Sequence, residues 1–439
     1  MRDLAALSLG AALLLGAAAC TDGKVGDAPL TEGGAGGEGG EGASGGSGGA
    51  GGEGGSGGAG GVGGTGGVGG AGGVAMGGTG GSIDVGEHMR FWNAGHGVPG
   101  PVWSVSTDQA GNAWAANGAA LLLLEPGADV WRSFTEEDGL SPWPPISVGG
   151  GRANEVYVGY RGLFPDSDPF DDPPEIAKSG GVDRIRLDQG SLSRFRFDIS
   201  SPPAPEYPMG RRVLRHCYRE VPVLSGPFAG DVWFGCNHGV AMWSERFHMV
   251  QEHQHPALSV DDSLYVGDFR GIGMAPNGNV WLAGDVRTAL LHYATEGGQF
   301  WAAMDEVDIW PPGIALDPFD PLANDWVMDL VVDAAGGLWV GSFGNGLARM
   351  EPDGSWSYLD TRHGLPDNRV YGLALDPDGS LWVATDAGLA RLSGGGFHQV
   401  LGAGDGLPGT ILAVHVDTKA KPRRVIVGTS VGIGIYDGP

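Results

Sequence analysis

Three groups of residues in this chain have types and spacings that chemistry could use. Gly428-Thr429-Ser430-Val431-Gly432 fits G-x-S-x-G, the turn that presents a serine nucleophile. His248, His253 and His255 stand near Asp261 and Asp262, side chains of the kind that hold zinc. The acidic run from 166 to 175 offers oxygen donors for calcium, with Pro169, Pro173 and Pro174 among them. None of the three matures into a site. The serine lacks the following helix that a nucleophile elbow needs, and its stretch occupies the same repeat position as Ala384 to Gly388. The histidines lack a second spaced pair of ligands, and the acidic run lacks the spacing of a calcium loop. The sequence therefore predicts no catalytic residue, no metal and no cofactor, and a binding protein instead of an enzyme.

What the chain does contain is a repeated phrase: an apolar strand, a Gly-containing turn, a Trp-bearing strand, then a small turn with Gly. VYGLALDPDGSLWVATDAGLAR at 370 to 391 is echoed by VMDLVVDAAGGLWVGSFGNGLAR at 327 to 349. The Trp position recurs as Trp114, Trp233, Trp281, Trp339 and Trp382, with Tyr157 and Ile426 standing in its place, at spacings of 43, 76, 48, 58, 43 and 44 residues. Leu373, Leu375, Leu381 and Val383 alternate with the period of a strand, and Asp-Pro-Asp-Gly at 376 to 379 has the chemistry of a turn. Repeats of about 40 to 45 residues with this content predict an all-β fold, a single seven-bladed β-propeller in which each repeat is one four-stranded sheet. One large aromatic per repeat is expected to fill the wedge between neighbouring sheets. MRFWNA at 89 to 94 matches an outermost strand and GIGIY at 432 to 436 a third strand, so the N-terminal strand is expected to complete the seventh blade.

The phrase in DPDGSLWVATDAGL (376 to 389) and DAAGGLWVGSFGNGL (333 to 347), with GLPDNRV (364 to 370) between them, resembles the two-component-regulator propeller repeat. That resemblance implies a sensor-type propeller at the periplasmic side of a membrane. Residues 88 to 439 hold the repeats, with no kinase or DNA-binding module among them, so the expectation is a stand-alone lipoprotein that captures a ligand and does not itself signal.

Ahead of the repeats, Leu4 to Ala19 form an apolar run too short to span a bilayer comfortably, ending at Cys20. Residues 1 to 20 resemble a lipoprotein signal peptide with Ala17-Ala18-Ala19-Cys20 as its lipobox, which implies acylation of Cys20, membrane attachment through the lipid alone, and a bacterial cell-envelope location. Residues 21 to 87 are dominated by Gly and predict a disordered tether; a flexible coil of roughly 60 residues spans on the order of 40 Å. The net charge of −26 argues against nucleic acid or anionic lipid as a partner, because both need clustered Lys and Arg. Cys217 and Cys236 fall on adjacent strands of the third repeat, where a disulfide and two buried thiols are the alternatives.

Insertions locate the expected function. With the strands of each blade lettered A to D from the axis outward, residues 164 to 179 lengthen a B–C connection, and 199 to 212, 250 to 262 and 303 to 325 lengthen D–A connections. All four project from one face, while 220 to 229 extends an A–B connection on the other. Long loops with aromatic residues predict a recognition surface. The expected ligand-binding residues are Tyr160, Arg161, Asn237, His238 and Asn345 at the channel mouth, with Trp310 and Phe170 above them. The ligand would be a glycan, a peptide or an envelope protein, taken up by a monomer. The alternative reading of a different class is a propeller enzyme resembling a metal-dependent streptogramin-type lyase.

Overall fold

The computed structural model describes residues 83–86, 88–163, 179–197, 216–237, 239–246, 249–254, 269–284, 288–293, 301–306 and 326–438. They all lie in the second of two compact units, Gly72–Pro439, and Cys20 and the Gly-rich segment up to residue 82 lie outside them.

The described residues form seven antiparallel sheets. Six are blades of four consecutive strands, whose innermost A strands are Ser104–Thr107, Pro145–Gly150, Cys217–Pro222, Phe269–Met274, Val327–Val332 and Val370–Leu375. The regular blades thus number six, against the seven that the repeat count predicts. The last repeat supplies only three strands, Ile411–Asp417, Arg424–Thr429 and Gly432–Tyr436. Strand Met89–Asn93 pairs antiparallel with Gly432–Tyr436 as the fourth, and Ile83–Gly86 adds a fifth outside it. Each A strand packs against the A strand of the next sheet, and Ile411–Asp417 packs against both Val370–Leu375 and Ser104–Thr107. The sheets therefore follow one another around an axis, and the composite sheet of the two chain ends stands between the first and sixth blades.

The core is divided in the same way. Trp114 belongs to the buried cluster between the first and second sheets, Trp233 to that between the third and fourth, and Trp382 to that between the sixth and the composite sheet. A sheet fanning out from an axis leaves a widening gap toward its neighbour, and an indole is the largest apolar group available to fill it. Burying an indole also buries its N–H, which then needs an acceptor. The turn aspartate provides it: Trp114 Nε1 donates to Asp108 at 3.1 Å and Trp382 Nε1 to Asp376 at 3.2 Å. The spacing D-x-x-G-x-x-W thus encodes a turn and its latch together.

Connections between sheets are built just as economically. Single 3-10 turns at Ala94–His96, Glu136–Asp138, Thr361–His363 and Ala403–Asp405 each end at a glycine with φ between 79° and 100°: Gly97, Gly139, Gly364 and Gly406. A left-handed residue reverses the chain at little cost only when it lacks a Cβ. The residue that follows, Val98, Leu140, Leu365 or Leu407, is buried and pins the linker to the core. The repeated Gly-Leu-Pro phrase is this device.

Candidate functional site around the axial mouth

The B–C turns and the segments entering the A strands share one face, because they hydrogen-bond to each other. Arg161 N donates to Pro144 O at 2.9 Å, Asn237 N to His216 O at 2.8 Å, Phe343 N to Trp326 O at 2.9 Å and Ser430 N to Thr410 O at 2.9 Å. The same face carries the chain ends of the lengthened connections at Leu163 and Ser179, joined by a 2.8 Å bond from Leu163 N to Ser179 Oγ.

At this end the A strands share an irregularity. In six sheets the pairing with the B strand shifts register just after the first residue, leaving Ile146, Tyr218, Arg270, Met328, Tyr371 and Leu412 outside the ladder. Trp103 takes the equivalent place in the first sheet, one residue before Ser104, and is 43% exposed. Such bulges turn a side chain away from the alternation of its strand. Here they bring a ring of mostly large groups to the mouth. The Arg270 guanidinium lies 4.3 Å over the Tyr218 ring, Phe343 meets Tyr371 edge-on at 5.6 Å, and Trp326 lies 6.4 Å from Phe343. A polar arc continues from there: Arg369 pairs with Asp386, whose Oδ1 accepts from Thr410 Oγ1 at 2.8 Å.

Below the mouth, polar groups tie the A strands together. Arg219 Nη2 reaches Asp329 Oδ1 at 3.1 Å, linking the third sheet to the fifth past Gly271 and Gly273 of the fourth. Burial pushes the Asp329 carboxyl up, against the pull of Arg219. His415 Nε2 lies 2.8 Å from Thr107 Oγ1, and its surroundings deep among the inner strands lower it to about 4. Glu220 is more unusual. It holds the register position that carries Val105, Val148, Ile272, Leu330, Leu373 and Val414 in the other sheets. Space for it comes from Gly149 and Gly159, where an added Cβ would lie 2.8 Å from the Glu220 Cβ and 2.1 Å from its Oε1, respectively. Burial raises the Glu220 carboxyl to about 8, only partly offset by Ser147 and Arg219. Ser147 Oγ lies 2.7 Å from Cys217 O and 2.8 Å from Glu220 Oε1. A hydroxyl has one hydrogen and a carbonyl can only accept, so both contacts are satisfied when Glu220 carries its proton and donates to Ser147.

Placement of the expected residues is uneven. Arg161 is exposed at the mouth, while Asn237 and Asn345 are half-buried and hold turns in shape: Asn237 Oδ1 accepts from His216 N at 3.0 Å and Asn345 N donates to Ser342 Oγ at 2.7 Å. Tyr160 is a correction. It is 0% exposed within the cluster between the first two sheets, its hydroxyl pushed well up by burial, so it packs beneath the face and not at its surface. Phe170, His238, Trp310 and Cys20 lie outside the described residues. Glu220 was expected in an A–B extension, but the A strand Cys217–Pro222 includes it, and only 223 to 230 connect to the next strand. Likewise His253 falls within strand Met249–Gln254 and not in a loop. Cys217 and Cys236 face each other across the A–B ladder and form a disulfide with Cα atoms 4.0 Å apart. Ser430 sits in a repeat turn: Thr429 Oγ1 donates to Gly432 O just as Thr385 Oγ1 does to Gly388 O. Among the described residues, no group of three or more His, Cys, Asp or Glu is arranged to hold a metal.

The bulge ring was the part that residue reasoning missed. Its signal is a short pattern of apolar, variable, small or polar, apolar residues at each A strand, as in Val-Tyr-Gly-Leu at 370 to 373 and Val-Met-Asp-Leu at 327 to 330. Strict alternation hides the variable residue, because the bulge is created by packing between sheets.

Residues 364–387, which span the third linker and the A and B strands of the sixth sheet, match the family described as "Two component regulator propeller". This segment is similar to a two-component-regulator propeller repeat. Solved structures with the same fold as the chain include virginiamycin B lyase from Staphylococcus aureus, at 12% identity and a TM-score of 0.51 over 79% of this chain and 98% of that one. PorZ of Porphyromonas gingivalis, a surface component of its type-IX secretion system, aligns at 14% identity and 0.50 over 76% of this chain and 46% of its own. The extracellular domain assigned to a hybrid two component system of B. thetaiotaomicron aligns at 15% identity and 0.40, over 77% and 40%. At 12% and 14% identity the first two likenesses show the fold alone. No curated protein sequence matches the chain significantly.

Proposed function

We propose that this protein is an exported propeller that captures a ligand or partner at the bacterial cell envelope, on the face where the B–C turns converge. In this reading residues 1–20 are a lipoprotein signal ending in the acylated Cys20, the tether expected over 21–87 stops at 82 because Ile83–Gly86 joins the composite sheet, and the rest of the chain is one monomeric domain in which that sheet serves as seventh blade. The observation that carries it is the bulge ring, which brings Trp103, Tyr218, Arg270 and Tyr371 to one end of the axis, whereas most other aromatic residues among the described ones are core. Aromatic and Arg side chains are the usual anchors of binding energy. The Cys217–Cys236 disulfide supports export, since such bonds persist in oxidising compartments. The repeat at 364–387 supports a sensor-type binding role.

Affinity capture from an envelope extract, using the full chain as bait, tests the face. Truncating an anchor commonly costs about 2 kcal/mol, roughly 30-fold in affinity. Tyr371→Ala and Arg161→Ala are therefore expected to deplete the captured partner, and Leu224→Ala, in the 223 to 230 connection of the opposite face, to leave it unchanged. The reverse pattern would place binding on the other face.

A further inference from the structure

Building on the capture reading above, we infer that the cleft between the first and second sheets is a docking site for an extended, proline-containing, basic peptide. The cleft has a volume of 260 Å³ and lies between the first B–C turn, at Gly118 and Ala119, and the linker segment from Leu140 to Pro145, Leu-Ser-Pro-Trp-Pro-Pro. It opens on the mouth face, since Gly118 N donates to Pro145 O at 2.8 Å and Arg161 N to Pro144 O at 2.9 Å.

Its chemistry is selective. Pro142, Pro144 and Pro145 have no N–H to offer, and the Pro144 and Pro145 carbonyls are already taken. Ser141 Oγ is buried, donates to Asp183 at 2.7 Å and accepts from Arg194 at 3.1 Å and Arg196 at 3.3 Å, the latter cation paired with Asp183. The free donors are two indoles. Trp143 is half-buried on the cleft wall, and Trp103, 43% exposed, has its Nε1 3.7 Å from where a Cβ on Gly118 would stand. Neither indole N–H has an acceptor among the described residues. With no side chain at position 118, the Trp103 indole lies beside the turn that forms one wall of the cleft.

A surface of apolar rings with two indole N–H groups that lack acceptors suits a polyproline II segment, whose carbonyls have no internal partners and whose conformation is set before binding. A sugar ring, with hydroxyls on most carbons, would find too few polar side chains here. Charge narrows the class further. Glu136 lines the cleft, and Glu137 and Asp138 stand exposed beside it in the same 3-10 turn, on a chain of net charge −26. Arg or Lys flanking the prolines would meet this acidic rim.

The probe is N-acetyl-(Pro-Pro-Arg)3, titrated into the full chain and followed by tryptophan fluorescence and calorimetry, with (Pro-Pro-Glu)3 and (Gly-Ser-Arg)3 as comparisons. Saturable binding of the first peptide alone is expected, weakened about ten-fold or more by Trp103→Ala. The exposed double reversal Glu136→Lys/Glu137→Lys should weaken it too, without touching the core, and Leu224→Ala should not. Equal binding of (Gly-Ser-Arg)3 would reduce the effect to charge alone and overturn the inference, as would no binding, insensitivity to Trp103→Ala, or occupation of the cleft by a second copy in sedimentation. Should Trp103→Ala abolish envelope capture while no peptide binds, the face would stand and the peptide class would fall.

Discussion

Glu220 is the residue at which the rules of this fold are most openly broken. A carboxyl in a position that six other sheets fill with Val, Ile or Leu survives only because two glycines make room and Ser147 meets one oxygen; Oε2 has no partner among the described residues. Its folded value of about 8 lies above the ordinary 4.5, so its contribution to stability is complete below 4.5 and is lost as pH rises through 8. Within that window the loss is at most about 5 kcal/mol, with Arg219, the nearest charge, holding it lower. His415 works in the opposite sense. Lowered from 6.5 to about 4 by burial and by Arg219 and Lys419, against Asp417, it destabilises the fold as pH falls from 6.5 toward 4. Urea unfolding at intervals from pH 5 to pH 9 is expected to show the Glu220 contribution falling as pH rises to about 8, and Glu220→Gln removing that fall. An unchanged slope in the variant would mean that Glu220 is ionised throughout. No sequence pattern announced this residue, since its strand reads Cys-Tyr-Arg-Glu-Val-Pro and looks like an exposed loop in charge content.

Among the elements, strand Met89–Asn93 is the one on which most depends. It places Trp92 in the cluster between the composite and first sheets, with Nε1 donating to Asp129 O at 3.0 Å, and sends Met89 and Phe91 into the cluster on the opposite side. One five-residue strand from the N-terminal side thereby completes two interfaces. Trp92→Ala is expected to cost about 3–5 kcal/mol in urea unfolding, the range for emptying a buried indole site. A truncation beginning at residue 95 should aggregate, because it bares the edge of Gly432–Tyr436, whereas one beginning at residue 83 should unfold like the full chain. Comparable stability of the two truncations would contradict the pairing. This strand was legible beforehand because Met-Arg-Phe-Trp-Asn matches the outermost strand of a repeat, and so were the Gly-Leu-Pro linkers, whose glycines all need positive φ. The fifth strand, Ile83–Gly86, was not, since a lone edge strand has no counterpart in the other repeats to be compared with.

For the molecule as a whole, the proposal is a compact acidic ring on a long lead. Acyl chains on Cys20 would anchor it, each buried CH₂ contributing about 0.8 kcal/mol. Cys20→Ser is expected to move the protein from the detergent phase to the aqueous phase on partitioning. Deleting residues 33 to 82 should leave the unfolding curve in place and shorten only the reach. Retention of the Cys20→Ser variant in the detergent phase would rule out the lipid anchor.

By itself the sequence determined the all-β propeller, the one core aromatic that recurs in most repeats, the turn chemistry before it and the return of the N-terminal strand to the C-terminal repeat. These follow from local signals, alternation, turn chemistry and repetition, each confined to a few residues. Only the tertiary structure decided that the last sheet has five strands, that Tyr160 is core, that Glu220 lies between sheets, and that the mouth is ringed by bulged residues. Those outcomes depend on how neighbouring sheets meet, on a glycine in one repeat making room for a side chain from another seventy residues away, and no window along the chain contains both partners.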